Sequence, residues 1–312
     1  MRIHTDLAAF SGVKRPVLTT GTFDGVHLGH RTILARLTEL ARKEGGESVL
    51  FTFHPHPRMV LFPGDDGLKL LNTQDEKMER LAEAGLDHVL MVPFSRTFSR
   101  MHAVDYVREV LVGAIGVHAI VIGYDHRFGR NREGDLGLLK QLGEVHGIRV
   151  EEIPAHEVDR MKVSSTKVRH ALLAGEVAQA RELLGYPYPL TGVVVKGDQV
   201  GRTIGYPTAN IGAVDTDKLI PADGVYAVQV HLVDGQHQGM LYIGERPTLG
   251  GGLQRTIEVN VFDLARDLYG ERITVQFMER IRGDIRFEGL EALKHQLHQD
   301  KVLTLQKLGS RS

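Results

Sequence analysis

Two histidines three residues apart, His27 and His30, close a stretch at 21–30 that reads Gly-Thr-Phe-Asp-Gly-Val-His-Leu-Gly-His. An apolar run (Pro16, Val17, Leu18) precedes it, and a helical pattern (Ile33, Leu34, Leu37, Leu40, Ala41) follows. A strand, a turn and a helix start gather backbone N–H groups and the positive end of a helix around one volume, which suits a phosphate. Gly21, Gly25 and Gly29 permit tight turning and close approach of a ligand. His27 and His30 would share one side of the first helical turn and donate hydrogen bonds to a nucleotide phosphate. No Gly-Lys-Ser/Thr follows, so the stretch is not a Walker A loop, and its spacing is not that of the dinucleotide fingerprint.

A second candidate lies at 197–210, where Gly197, Gly201 and Gly205 accompany Arg202 and lead into Tyr-Pro-Thr-Ala-Asn. Glycines and an arginine in a loop can wrap phosphate with backbone N–H groups. Thr208 and Asn210 are two apart, so in an extended segment they face the same way. A hydroxyl and an amide oxygen suit magnesium, a hard cation that prefers oxygen ligands and bound phosphate. Further on, Thr256, Glu258 and Asn260 alternate with Ile257, Val259 and Val261, which puts the apolar set toward a core and the polar set on the other face. Glu258 there could accept a proton from an alcohol attacking a phosphate. Taken alone, a strand glutamate reads as solvent-facing.

Three further segments carry suitable side chains. His54 and His56, in a Pro-rich turn before Arg58, read as a rigid pocket-lining turn rather than a zinc site, since no cysteine or HExxH pattern accompanies them. Gly123-Tyr124-Asp125-His126-Arg127-Phe128-Gly129-Arg130 reads equally as a nucleotide-contacting loop or a charged surface loop. Ser164, Ser165 and Thr166, followed by Lys167 and Arg169, would cap a helix and present positive charge to a leaving pyrophosphate.

These residues need elements to hold them. From residue 16 to about 153, strands expected at 48–53, 88–92, 119–122 and 148–153 alternate with helices at 74–84, 102–112 and 136–145, the first of these capped by Asn72 or Thr73. That alternation predicts a parallel sheet covered on both faces, with ligands beyond the carboxyl ends of its strands. A short helix at 168–173 and another within 175–185 follow, and Tyr-Pro-Tyr-Pro at 186–189 marks the expected boundary between domains 1–186 and 187–312. Beyond it, strands at 190–196, 224–233, 238–244, 256–262 and 271–278, joined by turns, predict an antiparallel barrel. A last helix from about 288, with Leu290, Leu293, Leu297 and Val302 at helical spacing, would cover one mouth of the barrel.

The 312 residues suffice for two domains, and a net charge of -1 gives no electrostatic case for nucleic acid or a membrane surface. Zero cysteines exclude disulfides and thiolate chemistry and fit a cytoplasmic setting. No signal-peptide pattern opens the chain, and the apolar tract at 110–123 is too short to span a bilayer.

The His-x-Gly-His run resembles the signature of the nucleotidylyltransferase superfamily. With the Gly-Arg-x-Ile-Gly-Tyr-Pro-Thr-Ala-Asn run and the Glu258 strand, in this order along the chain, the sequence resembles the prokaryotic bifunctional riboflavin kinase/FMN adenylyltransferases, also called FAD synthetases. The resemblance implies an α/β plus all-β architecture: a Rossmann-like nucleotidylyltransferase domain with a parallel sheet, then a riboflavin kinase-like antiparallel barrel with a terminal helix. It implies riboflavin, FMN, FAD and ATP as small-molecule partners, Mg2+ as cofactor, no nucleic acid, no membrane, and a monomer or weak homo-oligomer. In the barrel, Mg-ATP would phosphorylate riboflavin, with Glu258 as general base and Thr208 and Asn210 holding magnesium and phosphate. In the first domain FMN would attack the α-phosphate of ATP, with His27, His30, Ser164 (or Ser165), Thr166 and Arg169 on the triphosphate. Gly21, Phe23, Gly29 and Asp125 would contact that nucleotide, and Gly197, Gly201, Arg202 and Gly205 the one in the barrel. Family members usually carry Phe after the acid of Gly-x-Asp-Phe-x-Phe-Gly, where this chain has His126. Alternatives are a chain with only one live activity, or a flavin-binding regulator.

Overall fold

The computed structural model describes residues 1–64, 68–154, 163–197, 201, 204–212, 214–247 and 253–309. The chain divides into two compact units, Met1–Ser165 and Thr166–Ser312.

In the first unit, strands β1 (Arg2–His4), β2 (Val17–Thr20), β3 (Ser48–Phe53), β4 (His88–Val92), β5 (Ala119–Gly123) and β6 (Arg149–Ile153) form one sheet in the order β1-β4-β3-β2-β5-β6. Every pairing is parallel. The central strands are apolar along their whole length because both faces are covered. Along β3, Val49 and Phe51 join one core and Leu50 the other; along β5, Ile120 and Ile122 join the first and Ala119 and Val121 the second. That is the two-residue period of a strand with helices on both sides. The order reverses at β2, which has β3 on one side and β5 on the other. A crevice therefore opens beyond the carboxyl ends of β2 and β5, where the 21–30 and 123–130 segments begin.

Helix α1 (Leu28–Glu44) starts at its His27 cap and stops at Gly45, whose φ of 63° is left-handed. Helix α2 (Pro57–Leu61) is short and follows the His56 cap. Helix α3 (Gln74–Glu83) opens with a reciprocal capping box between Thr73 and Glu76, which selects Thr73 over Asn72. The helix expected at 102–112 is longer. A single turn, α4 (Ala103–Asp105), continues into π-helical Tyr106–Ile115 and ends at left-handed Gly116. Helix α5 (Leu136–His146) precedes β6.

The second unit begins earlier than the 186/187 boundary. Helices α6 (Ser165–Leu173) and α7 (Val177–Leu184) group with the barrel. The Ala222 N–H donates to Leu172 O at 3.0 Å, and the Arg280 guanidinium donates to Ala174 O at 3.0 Å. Strands β7 (Tyr188–Val195), β8 (Ala209–Gly212), β9 (Gly224–Leu232), β10 (Gly235–Pro247), β11 (Leu253–Val261) and β12 (Arg272–Arg282) close in the order β10-β11-β8-β7-β12-β9. All six pairings are antiparallel. Tyr188, Tyr226 and Phe277 are its largest buried side chains, and the Tyr226 and Phe277 rings meet edge-on at 5.2 Å. Two register shifts in β12 opposite β9, at Phe277/Glu279 and Arg280/Arg282, re-aim the end of that strand.

Helix α8 (Leu290–Gly309) differs from the expected stripe. Leu290 and Val302 are exposed, whereas the buried positions are Asp300, Thr304 and Leu308, in line with half-buried Leu293 and Leu297. Two polar residues on the covered face hid the true register from an apolar count.

Candidate functional site

In the first unit the 21–30 segment forms a turn between β2 and α1, with His27 at the helix cap and His30 in the first helical turn. Phe23, Gly25 and Val26 take positive φ values of 49°, 85° and 34° between the end of β2 and the start of α1. The His27 Nδ1 accepts the His30 backbone N–H at 3.3 Å, so the helix cap consumes one imidazole nitrogen and leaves the neutral-ring proton on Nε2. The His27 and His30 rings stack at 3.6 Å, with Phe23 4.6 Å from His30 on its other contact. Burial, then the neighbouring His27 and Lys77, hold the His30 pKa well below the usual histidine range, so it is neutral near pH 7. A Cβ on Gly29 would come within 3.3 Å of the His27 ring, which gives that glycine its place beside the stack.

The Ser165 hydroxyl donates to Asp24 O in this turn at 2.9 Å, and Ser164 beside it is exposed. Thr166 and Arg169 lie on α6, in the second compact unit. Asp125 is exposed on the loop after β5. Beyond the ends of β2 to β5 lies a cavity of about 800 Å³ walled by Gly21, Phe53, Phe94, Phe98, Tyr106 and Phe128, with Arg100, Arg127, Arg130 and Arg132 also on its lining. His126 lines it too, its ring stacked 6.1 Å from Phe128, and burial pushes its pKa down to about 4. Pro57 lines the same cavity, while the His56 ring caps α2 by accepting the Arg58 N–H at 3.2 Å. The aromatic wall suits a flat ring system and the arginines an anion.

In the barrel, Glu258 is only 4% exposed and Asn260 7% exposed. The alternation along β11 is as predicted, but the polar face does not meet solvent. A cavity of about 230 Å³ covers it, lined by Glu258, Asn260, Met240, Tyr242, Phe287 and α8 residues Leu293 and Leu297 among others. A second cavity, about 320 Å³, is lined by Val194, Pro207, Ala209 and the 264–269 segment. Thr208 lines both. Its hydroxyl donates to Glu258 Oε2 at 3.0 Å, and Asn210 stands opposite Glu258 in the β8–β11 register. The Asn260 amide donates to Pro207 O at 2.6 Å and so fixes the chain just before Thr208.

The donor set around Thr208 suits magnesium. Hydroxyl, amide oxygen and carboxylate are all hard oxygen ligands. The Thr208 proton goes to Glu258, which leaves its lone pairs for a cation. A Cβ on Gly197 would sit 2.1 Å from Asn210 Nδ2, and one on Gly201 2.2 Å from Tyr206 O, so these glycines allow the backbone to close over Asn210 and Thr208. Gly205 takes φ 85° in the same loop, and Arg202 lies outside the described residues. Among the described residues, no group of three or more His, Asp or Glu is placed to hold a metal ion.

The sequence reading passed over the aromatic wall of the first cavity, because its rings come from four separated segments and no local spacing joins them. It also passed over buried Asp24 and Lys77, and over Asp300 with its partner Arg282.

Comparison with known proteins agrees with this two-part layout. The FAD synthetase family matches residues 11–167, and the riboflavin kinase family matches residues 184–308. The bifunctional riboflavin kinase/FMN adenylyltransferase of Escherichia coli (strain K12) is 40% identical over 294 residues, 94% of this chain and 93% of that protein. The Bacillus subtilis (strain 168) protein of the same name is 33% identical over 291 residues, 92% of this chain and 90% of its own. A solved protein from Streptococcus pneumoniae, described as a macrolide-efflux protein, matches with a TM-score of 0.87 at 32% identity, covering 97% of each chain. No helix among the described residues is long and apolar enough to cross a membrane. With both families matched in order and near-complete coverage by such relatives, the chain belongs to the bifunctional riboflavin kinase/FMN adenylyltransferase family.

Proposed function

We propose that this chain converts riboflavin to FAD in two ATP-dependent steps, phosphorylation in 187–312 and adenylylation in 1–186. The observation that carries the reading is the Thr208–Glu258 hydrogen bond at the junction of two cavities. It supports Glu258 as the carboxylate beside which a flavin alcohol and a nucleotide phosphate would meet.

In the first step the apolar cavity under α8 takes the flavin ring, and the ribityl chain brings its 5′-hydroxyl to Glu258. The carboxylate removes the proton as the alkoxide oxygen forms a bond to the γ-phosphorus of ATP, and the bond to ADP breaks. Thr208 and Asn210 would hold Mg2+, which would supply charge neutralisation on the phosphates. Gly197, Gly201, Arg202 and Gly205 wrap the nucleotide.

In the second step FMN occupies the aromatic cavity of the first unit, its phosphate near the arginines. Its phosphate oxygen attacks the α-phosphorus of a second ATP and pyrophosphate leaves. The nucleophile is already an anion, so positioning and charge stabilisation suffice. His27 and His30 donate to the phosphates as neutral imidazoles, and Gly21, Phe23 and Gly29 shape the turn. Ser164 or Ser165, Thr166, Arg169 and Asp125 bind the remainder of the nucleotide. A cytoplasmic setting, a monomer or weak homo-oligomer, and no role for nucleic acid fit the cysteine-free, nearly neutral chain.

Incubation with riboflavin, ATP and magnesium, followed by separation of FMN from FAD, tests this directly. FMN should appear first and FAD second, and FMN supplied alone should yield FAD and pyrophosphate. A chain that accumulates only one of the two, or binds flavin without turnover, would overturn the reading.

A further inference from the structure

Arg100, Arg127, Arg130 and Arg132 all line the aromatic cavity of the first unit. Arg127 pairs with Asp135 at 3.2 Å, whereas among the described residues no carboxylate makes a salt bridge to Arg100, Arg130 or Arg132. Three unneutralised guanidinium groups around one cavity repel one another and suit a phosphate. Their convergence therefore depends on the backbone that carries them.

That backbone is held against its own preference. Asn131 and Arg132 take left-handed φ values of 53° and 60°, close to Gly129 at 72°. Residues other than glycine enter that region at a cost and stay there where their surroundings over-determine them. Two backbone bonds between Phe128 and Gly134, at 3.1 and 2.9 Å, close the loop on itself. The Arg130 N–H donates to Met101 O at 2.8 Å, and a Cβ on Gly129 would lie 2.7 Å from the Ala103 backbone, so the loop is pressed against the start of α4. Glu133 fastens it there. Its Oε1 accepts the Ala103 N–H at 2.9 Å and meets His102 Nδ1 at 3.1 Å. His102 is the cap residue of α4 yet makes no capping bond with its own side chain, so Glu133 caps that helix from 30 residues away. The Ala103 N–H is also the main cause holding the Glu133 carboxyl below its usual range, which keeps it ionised near pH 7.

We infer that Glu133 is a positioning residue for adenylyl transfer: by pinning the 129–134 loop to the start of α4, it holds Arg130 and Arg132 around the same cavity as Arg100, as a preformed seat for the FMN phosphate. Glu133 is not on the cavity lining, so it acts through these arginines. The inference rests on the placement of FMN in this cavity.

The test uses the full chain with FMN, ATP and magnesium, and measures kcat and the KM for each substrate in FAD formation. Riboflavin phosphorylation by the same preparations is the internal control and should be unchanged in every variant. Glu133→Ala should raise KM for FMN about tenfold, the scale of one charged hydrogen bond lost from the phosphate, while kcat and KM for ATP stay within about twofold. Glu133→Gln keeps an oxygen acceptor for the Ala103 N–H and should recover most of that loss. Arg130→Gln with Arg132→Gln should raise KM for FMN by itself, and Glu133→Ala added to that pair should raise it less than about twofold further, because the groups act as one unit. A wild-type KM for FMN in Glu133→Ala overturns the inference. So does an equal rise in KM for ATP, a Glu133→Gln as impaired as Glu133→Ala, or an undiminished effect of Glu133→Ala in the arginine pair. If Glu133→Ala fails to fold, Glu133→Asp, whose shorter side chain cannot reach Ala103, must show the raised KM, and a wild-type value there overturns the inference equally. A wild-type KM for FMN in the arginine pair removes the placement of FMN itself. A raised KM in that pair, with Glu133 variants like wild type, removes the role of Glu133 alone.

Discussion

Removing the carboxylate of Asp300 should loosen the helix that roofs the proposed flavin cavity. Asp300 is fully buried, and the Arg282 guanidinium grips it with Nε at 3.1 and 3.0 Å from its two oxygens and Nη2 at 2.8 Å. The Gln296 amide adds a bond at 2.9 Å. Breaking one partner of a buried pair costs about 3–5 kcal/mol, because the remaining charge is left uncompensated. Arg282 retains some access to water, with 17% of its side chain exposed, and it also donates to Gly283 O at 2.9 Å. The low end, about 3 kcal/mol, is therefore the expected cost of Asp300→Ala. For a unit of this size that is a fall in Tm of roughly 6–12 °C.

The functional effect should be confined to one step. Leu293 and Leu297 line the proposed flavin cavity two turns and one turn before Asp300 on the same helix, so KM for riboflavin should rise while FAD formation from supplied FMN holds. Thermal unfolding and separate assays of the two steps read this out. Replacing both partners, Asp300→Leu with Arg282→Met, should recover most of the stability, since apolar replacement of a buried ion pair is often neutral or better. A Tm within about 2 °C of wild type for Asp300→Ala, together with an unchanged riboflavin KM, would refute the reasoning.

Other expectations follow from the same geometry. Gly197→Ala would drive a Cβ into the Asn210 amide at 2.1 Å and should cut FMN formation by at least about tenfold with little effect on adenylylation. His126→Phe should leave riboflavin phosphorylation unchanged and alter KM for FMN in the second step; an equal effect on both would place His126 elsewhere. Between about pH 6.5 and about pH 4 the unfolded chain binds a proton at His126 that the folded chain resists. Its share of stability, at most about 3 kcal/mol, is present above pH 6.5 and lost as pH falls toward 4. Urea unfolding at several pH values should show His126→Phe without that loss.

Much of this could be read along the chain because the chemistry is local. The 21–30 turn carries its glycines, its histidines and its strand-to-helix context within a few residues, and the fold keeps them together. The parallel sheet and the antiparallel barrel follow from where helical and two-residue periods change, whereas the strand order comes from the structure alone. What sequence could not show is what covers a polar face. Glu258 reads as solvent-facing until α8 and the loop before Thr208 enclose it, and both are distant in the chain from β11. The buried register of α8 was missed for the same reason: Asp300 looks like a surface residue until Arg282 is brought to it by the irregular end of β12. Helices α6 and α7 read as the tail of the α/β half, yet the chain at the end of α6 bonds to Ala222 and Arg280 of the barrel, and α7 packs on β12 and β7.

The central claim is that two separate sites act in series on one flavin, and paired variants of the full chain test it most directly. Glu258→Gln should form no FMN from riboflavin and still convert supplied FMN to FAD at the wild-type rate. His27→Ala with His30→Ala should do the reverse, accumulating FMN and making no FAD. Loss of both steps from a folded variant in either pair, or FMN formation by Glu258→Gln at the wild-type rate, would contradict the account.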